Sequence, residues 1–179
     1  SPEKETNEVE AEEEAEEEPK DVNEEETKLT PQKTLTFIER FDLTKVNSET
    51  KGTPSELKIE ILDDSSLLSE KSSKLINLLK RTKGYYIFND YDVKNEYIAL
   101  ISYGKTNTGG YSLDIEDALK KDNNLYILLE ETIPEEGSVV TQAITYPHLL
   151  VRIKNMDIDI TNPKNIFVRN QAGVAYDVI

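Results

Sequence analysis

Tyr97-Ile98-Ala99-Leu100-Ile101-Ser102-Tyr103, preceded by Asn95 and closed by Gly104, decides how this chain reads. Aromatic, β-branched and aliphatic residues between two turn formers predict a strand. Outward from it the same signature recurs at short intervals. Downstream, residues 111–115, 125–130, 139–144 and 148–153 read as strands, with weaker candidates at 158–160, 166–168 and 176–179. Turn chemistry separates them: Gly104 to Gly110, a turn over 120–124, Pro134 to Ser138, and Tyr146-Pro147. Upstream, residues 85–91 and 34–44 read as strands, with a loop at 47–54. Leu57, Ile59 and Ile61 alternate with Lys58 and Glu60, the period of a half-buried strand. One stretch has helical period instead. Leu67, Leu68, Leu75, Ile76, Leu78 and Leu79 form an apolar stripe over 67–81, with Lys71, Lys74 and Lys80 outside it. Asp63 to Ser66 offer its N-cap and Gly84 its stop. Eight or more short strands and one helix predict a mainly β, antiparallel β-sandwich-like domain with one covering α-helix. The expected core includes Ile59, Ile61, Leu75, Leu79, Ile98, Leu100, Leu113, Ile115, Ile127, Leu129, Leu149 and Val151.

The 179 residues suit one such domain plus an appendage. The formal charge of −15 is unevenly spread. Residues 1–30 carry 14 acidic and 3 basic residues, a charge of −11, leaving −4 for the remainder. Glu12 to Glu14, Glu16 to Glu18 and Glu24 to Glu26 come in runs with few apolar residues between them. Such a segment cannot bury enough surface to offset its ordering entropy, so residues 1–32 are expected to be a disordered acidic tail ahead of a β-rich domain at 33–179. An acidic surface repels phosphate, which argues against nucleic acid and against direct binding to anionic lipid. There is no Cys, hence no disulfide, thiolate nucleophile or Cys-based zinc site. No apolar run approaches the roughly 18 residues of a membrane span. Ser1 in place of Met suggests that targeting residues have been removed.

Catalytic constellations are not legible. His148 is the one His, so an H-E-x-x-H zinc site is excluded, and no Walker A or G-x-S-x-G motif occurs. Asp63-Asp64, Asp114-Glu116-Asp117 and Asp157-Asp159 are carboxylate clusters without the D-x-D-x-D-G loop that calcium favours. The expectation is a non-enzyme with no metal and no cofactor. The most specific local feature is Gly104-Lys105-Thr106-Asn107-Thr108-Gly109-Gly110-Tyr111-Ser112. Adjacent glycines beside an aromatic suit a bulged or tight hairpin, or a shaped loop offered to a partner.

That loop, together with its surroundings, carries a resemblance. Residues 97–104, then Thr108-Gly109-Gly110-Tyr111-Ser112-Leu113-Asp114-Ile115, residues 125–130, Pro134, Val139-Val140-Thr141-Gln142-Ala143-Ile144-Thr145-Tyr146-Pro147 and 149–153 resemble the C-terminal domain of the bacterial protease-complex subunit (PrcB-like) family, over about 96–154. The resemblance implies an accessory subunit that accompanies and stabilises a surface protease, in a family of lipoproteins and secreted proteins. It implies an extracytoplasmic location on a bacterial cell surface, membrane attachment only through a lipid anchor, and a protein partner. The acidic tail would then be a spacer between anchor and domain. No catalytic residue carries over. Gly104, Thr108, Gly109, Gly110, Tyr111, Tyr146 and Pro147 are the expected partner-binding residues. Two other readings compete. Thr108-Gly109-Gly110-Tyr111 loosely resembles the Thr-Gly-Tyr loop of chagasin-type cysteine-protease inhibitors, although no Trp is present for their Arg-Pro-Trp loop. A structural adaptor of the cell envelope or spore surface is the other.

Overall fold

The computed structural model describes Phe41 and residues 57–121, 123–154 and 165–179. The chain divides into two units, Ser1–Lys33 and Thr34–Ile179, and every described residue lies in the second. The expected tail at 1–32 and the strand at 158–160 lie outside the described residues, as does Asp157-Asp159. Of the strand expected at 34–44 only Phe41 is described, and it is helical rather than extended.

Strand β1 (Lys58–Ile61) is followed by helix α1 (Glu70–Leu79), then β2 (Gly84–Val93), β3 (Glu96–Ser102), β4 (Ser112–Lys121), β5 (Asn124–Thr132), β6 (His148–Lys154), β7 (Ile166–Asn170) and β8 (Ala175–Tyr176). They form two four-stranded sheets, ordered β1-β6-β3-β2 and β4-β5-β7-β8. The first is antiparallel throughout. The second is mixed, because β5 and β7 run parallel. Between them the chain crosses to the other sheet to make β6, and this crossover returns β7 in the direction of β5. Two tight reversals are turned by non-glycine residues of positive φ, Asn95 (59°) and Asn123 (66°), a conformation Asn tolerates better than most.

The core explains the strand sequences. On β3, Ala99 and Ile101 face the second sheet and join Leu125, Ile127, Leu129, Val151, Ile153 and Val168 in one inter-sheet cluster. The alternate residues Ile98 and Leu100 face the other way, against Leu68, Ile76, Phe88 and Leu150 beneath α1. Strand β3 is therefore buried on both faces and reads as a nearly continuous apolar run. Strand β5 is similar: Tyr126 and Leu128 turn away from the sandwich and are covered by Phe41, whose ring meets that of Tyr126 edge-on at 5.1 Å. Each such side chain contributes roughly 1.5–3 kcal/mol by leaving water.

Helix α1 starts later than the stripe predicted. Ser69, not the 63–66 stretch, is the N-cap, its side chain accepting from the Ser72 N–H at 3.1 Å. Asp64 instead closes its own turn by accepting from Ser66 N–H, and Asp90 on β2 accepts from Ser69 N–H at 2.9 Å, pinning the helix start to the sheet. These bonds to Ser69 hold the Asp90 carboxyl below its ordinary range. Leu67 and Leu78 lie outside the buried stripe, Leu78 at 65 % exposure. Gly84 does not stop the helix, which ends at Lys80. It opens β2, where a Cβ would meet the Asp177 carbonyl oxygen at 2.3 Å, because residues 177–179 pair alongside Tyr85. Among the expected core residues, Ile61 is the exception at 48 % exposure, at the end of a short edge strand. The strand expected at 139–144 does not form, for a reason that belongs to the site.

Candidate functional site

The β3–β6 ladder does not stop where the sheet does. Its register pairs Ser102 with His148. Beyond that, Tyr103 N–H donates to Pro147 O at 2.9 Å, Thr106 and Thr145 exchange backbone bonds of 2.9 and 3.1 Å, and Gly109 N–H donates to Thr141 O at 2.9 Å. Residues 103–109 and 141–147 thus run antiparallel as an irregular ribbon that carries the chain from one sheet to the other and back. The spaced bonds explain why 139–144 is no regular strand: its partner arm is a glycine-containing loop making one contact in three.

Threonines hold the ribbon together. The Thr106 and Thr145 hydroxyls lie 2.6 Å apart, and each is within bonding range of Thr108 O, at 2.9 and 3.1 Å. With one proton each, one hydroxyl donates to the carbonyl and the other to its neighbour. Ser102 anchors the base by donating to Lys80 O at 2.8 Å and accepting from Gly104 N–H at 3.0 Å. Gly109 is buried where a Cβ would stand 2.3 Å from Thr141 Oγ1, and Gly110 (φ 89°) lies against Val140 and Pro134. The two glycines therefore let the arms close on each other.

Beneath the ribbon a polar cluster joins the two sheets. The Glu131 carboxylate of β5 is buried, accepts from the Tyr176 hydroxyl of β8, and pairs with Lys83 Nζ at 3.0 Å. Lys83 precedes β2 and sits 4.8 Å from the ring centres of both Tyr103 and Tyr176, within cation–π range. Burial pushes the Glu131 carboxyl up, but the bonds from Tyr176, Lys83 and Asn170 outweigh it, and the group lies below its ordinary value. Burial, then the bond to Glu131, pushes the Tyr176 hydroxyl up. Burial likewise raises Tyr103, helped by the charge of Glu131. Tyr103 packs on Tyr111 with ring centres 5.5 Å apart.

The expected partner residues are thus gathered in one place, in different roles. Gly104, Thr108 and Gly109 line the inside of the ribbon. Gly110 is exposed at its end, and Tyr111 is half-buried on Tyr103. Tyr146 and Pro147 sit at the base of the other arm, where Lys80 and Arg81 approach the Tyr146 ring at 5.6 and 5.4 Å. Sequence reasoning gave Pro134 to Ser138 as a loop but did not single out the exposed stretch that runs on into Val139. After β5, Glu135 O accepts from Ser138 N–H at 3.0 Å across Gly137 (φ 83°), and Val139 follows at 103 % exposure. Ile133 and Ile144, before and after it in sequence, are also exposed. Val139 was hidden by its β propensity, which read as strand.

His148 is exposed and its Nδ1 lies 2.6 Å from Tyr146 O. It borders a cleft of about 370 Å3 with Asp63, Asp64, Ser65, Ser73 and Asn77 at the rim and Ile76 and Leu149 among its apolar walls. Among the described residues no three His, Asp or Glu side chains gather closely enough to hold a metal ion.

Residues 97–154 match the family model described as PrcB C-terminal. The class this defines is a two-sheet β domain built around a PrcB C-terminal-like segment, and that segment is β3, the ribbon, β4, β5 and β6. The ten largest fully buried side chains of the described residues, from Ile98 to Ile153, all fall inside it. No curated protein and no solved structure matches this chain.

Proposed function

We propose that this protein is a non-catalytic accessory domain that binds a protease and stabilises or presents it in an extracytoplasmic complex of a bacterial cell surface. The observation that carries the reading is where the family-matched segment puts its special residues. Gly104, Thr106, Thr108, Gly109 and Thr145 fix a loop pair in one shape, Ile144 on that pair is exposed, and Ile133 and Val139 are exposed on the chain that leads into it. Pre-ordering a loop lowers the entropy lost on binding, and exposed apolar side chains on a rigid support are what a protein partner can bury. The family resemblance supports a protease as that partner, and a location outside the cytoplasm reached by secretion or a lipid anchor.

The test is affinity capture from envelope extracts of the source organism with the full chain as bait, against a Gly109→Val, Gly110→Val bait checked for folding by circular dichroism. A protease retained by the first and lost by the second supports the reading and places the interface at the ribbon. Capture of envelope proteins without any protease overturns the protease partner.

A further inference from the structure

The cleft of about 370 Å3 beside His148 is lined by helix α1, the end of β1 and the start of β6. Ser73, Ile76 and Asn77 face it from α1, at the i, i+3, i+4 spacing that puts them on one side of the helix. Ile61 of β1 and Leu149 of β6 add further apolar surface. The polar lining is biased toward accepting. Nδ1 of His148 lies 2.6 Å from Tyr146 O, and a carbonyl only accepts, so Nδ1 carries the proton and the neutral ring offers Nε2 as an acceptor. The Ser73 hydroxyl donates to Ser65 O at 3.3 Å, which leaves its oxygen lone pairs. Asp64 accepts from Ser66 N–H at 2.9 Å, and its bonds from Ser66 hold the carboxyl below its ordinary range, so it is charged at neutral pH. Among the described residues neither Asp63 nor Asp64 has an ion-pair partner, whereas Glu60 on the same segment pairs with Arg152 and Lys154. Ser65 and Asn77 can donate or accept. Apolar walls below two uncompensated carboxylates, on a chain of net charge −15, complement a side chain with an apolar stem and a cationic, donating head. Arginine meets several acceptors at once, with five N–H groups in a planar fork, where lysine brings three on a point charge.

We infer that this cleft receives an arginine side chain of a protein partner, its methylenes along Ile61, Ile76 and Leu149 and its guanidinium at Asp63, Asp64 and His148 Nε2. His148 directly follows Tyr146 and Pro147, so an arginine seated there is continuous with the candidate interface at the base of the ribbon. The inference gives the chemistry of one contact on the partner, and it stands or falls whether or not that partner is a protease.

The experiment titrates the full chain, labelled for amide NMR, with a blocked alanine peptide carrying one central arginine. The same peptide with citrulline, the neutral isostere, or with lysine is the comparison. Two variants accompany the wild type. Asp63→Asn with Asp64→Asn removes both charges and keeps the acceptor for Ser66 N–H, and Ile61→Lys puts an ammonium of the chain's own into the cleft from a position that is already exposed. Unchanged amide shifts away from the cleft show that both fold. The expected result is saturable shifts at residues 61–65, 73–77 and 148–150 with the arginine peptide, and binding about tenfold weaker for citrulline and for either variant. Equal binding of the citrulline peptide would overturn recognition of a cation. Shifts that lie elsewhere, or that persist in both variants, would overturn the cleft by showing a diffuse attraction to the acidic sequence. Lysine bound as tightly as arginine overturns the choice of arginine, and free arginine bound more tightly than the peptide overturns a protein partner. The absence of saturable shifts with millimolar arginine peptide overturns the site outright.

Discussion

Replacing Glu131 with Gln keeps the shape of the side chain and removes its charge, so it isolates what that charge contributes to the cluster with Tyr176 and Lys83. In the native protein the carboxylate accepts from the buried Tyr176 hydroxyl and from Lys83 Nζ at 3.0 Å. A hydrogen bond to a charged group contributes about 1.5–3 kcal/mol and a neutral one about 0.5–1.5. The Tyr176 bond should therefore weaken by about 1 kcal/mol. Lys83 is 40 % exposed and screened by water, so its loss counts for less. Together the change should cost roughly 1–2 kcal/mol at neutral pH, read as a lower urea midpoint at unchanged slope. The pH dependence carries the sign. The folded-state pKa of Glu131 lies below its ordinary 4.5, so this stabilisation is complete above that value and disappears as pH falls through the folded value. The gap between wild type and Glu131→Gln should stay constant from about pH 8 to about 5.5 and close below it. The other carboxylates titrate in both proteins and cancel in the difference. Equal midpoints at neutral pH, or a gap that persists under acid, would refute a stabilising charge on Glu131.

Four further outcomes follow from the geometry. Gly109→Ala places a methyl 2.3 Å from Thr141 Oγ1 and should cost about 1–3 kcal/mol in urea unfolding, part of it restored in the Gly109→Ala, Thr141→Ala double variant. Ser69→Ala removes the acceptor for Ser72 N–H and should cost about 1 kcal/mol in the same assay. Ile98→Ala empties a fully buried site under α1 and should cost about 2–5 kcal/mol, visible as a large drop in thermal midpoint. Val139→Ala should leave stability within about 0.5 kcal/mol, since nothing in the fold covers that side chain.

Much of the architecture was legible because each strand announces itself locally. Strands β2, β3, β5 and β6 have the β-branched and aromatic runs expected of them, and Asn95 and Gly104 bracket β3 as turn residues should. What could not be read depends on elements far apart in sequence. Ile98 and Ala99 both look simply apolar, and only the packing of α1 on one face and the second sheet on the other shows why both are buried. The parallel β5–β7 pair requires the crossover through β6, which no local signal marks. Residues 139–144 have strand composition but face a partner arm interrupted by Gly104, Gly109 and Gly110, so pairing decides against propensity. The candidate site was half legible for the same reason. The glycines stood out, but their purpose is set by Thr141, Val140 and Lys83, the nearest of them more than 20 residues away.

The family-matched segment also shows why the flanking chain is part of the same fold. Residues 97–154 supply β3 and β6 to one sheet and β4 and β5 to the other. Alone, these pairs would expose Ile98, Leu100 and Leu150 on one face, and the β5 edge on which β7 now pairs. A two-stranded ribbon with an uncovered apolar face is marginal in water, and an open edge invites pairing with other chains. The flanks remove both problems. Strand β2 and helix α1 close the first sheet, while β7 and β8 close the second. Residues 177–179 pair on the outer edge of β2, and Tyr176 beside them delivers its hydroxyl to Glu131. The C-terminal residues thus fasten the edge of one sheet and the buried carboxylate of the other. Deleting residues 175–179 should therefore lower stability by more than loss of a two-residue strand would suggest, because it frees the β2 edge and leaves Glu131 with Lys83 but without Tyr176. Hydrogen exchange checks this directly. Protection should fall at β2 and β5 together, although the two strands lie in different sheets, and a loss confined to β7 would contradict the link.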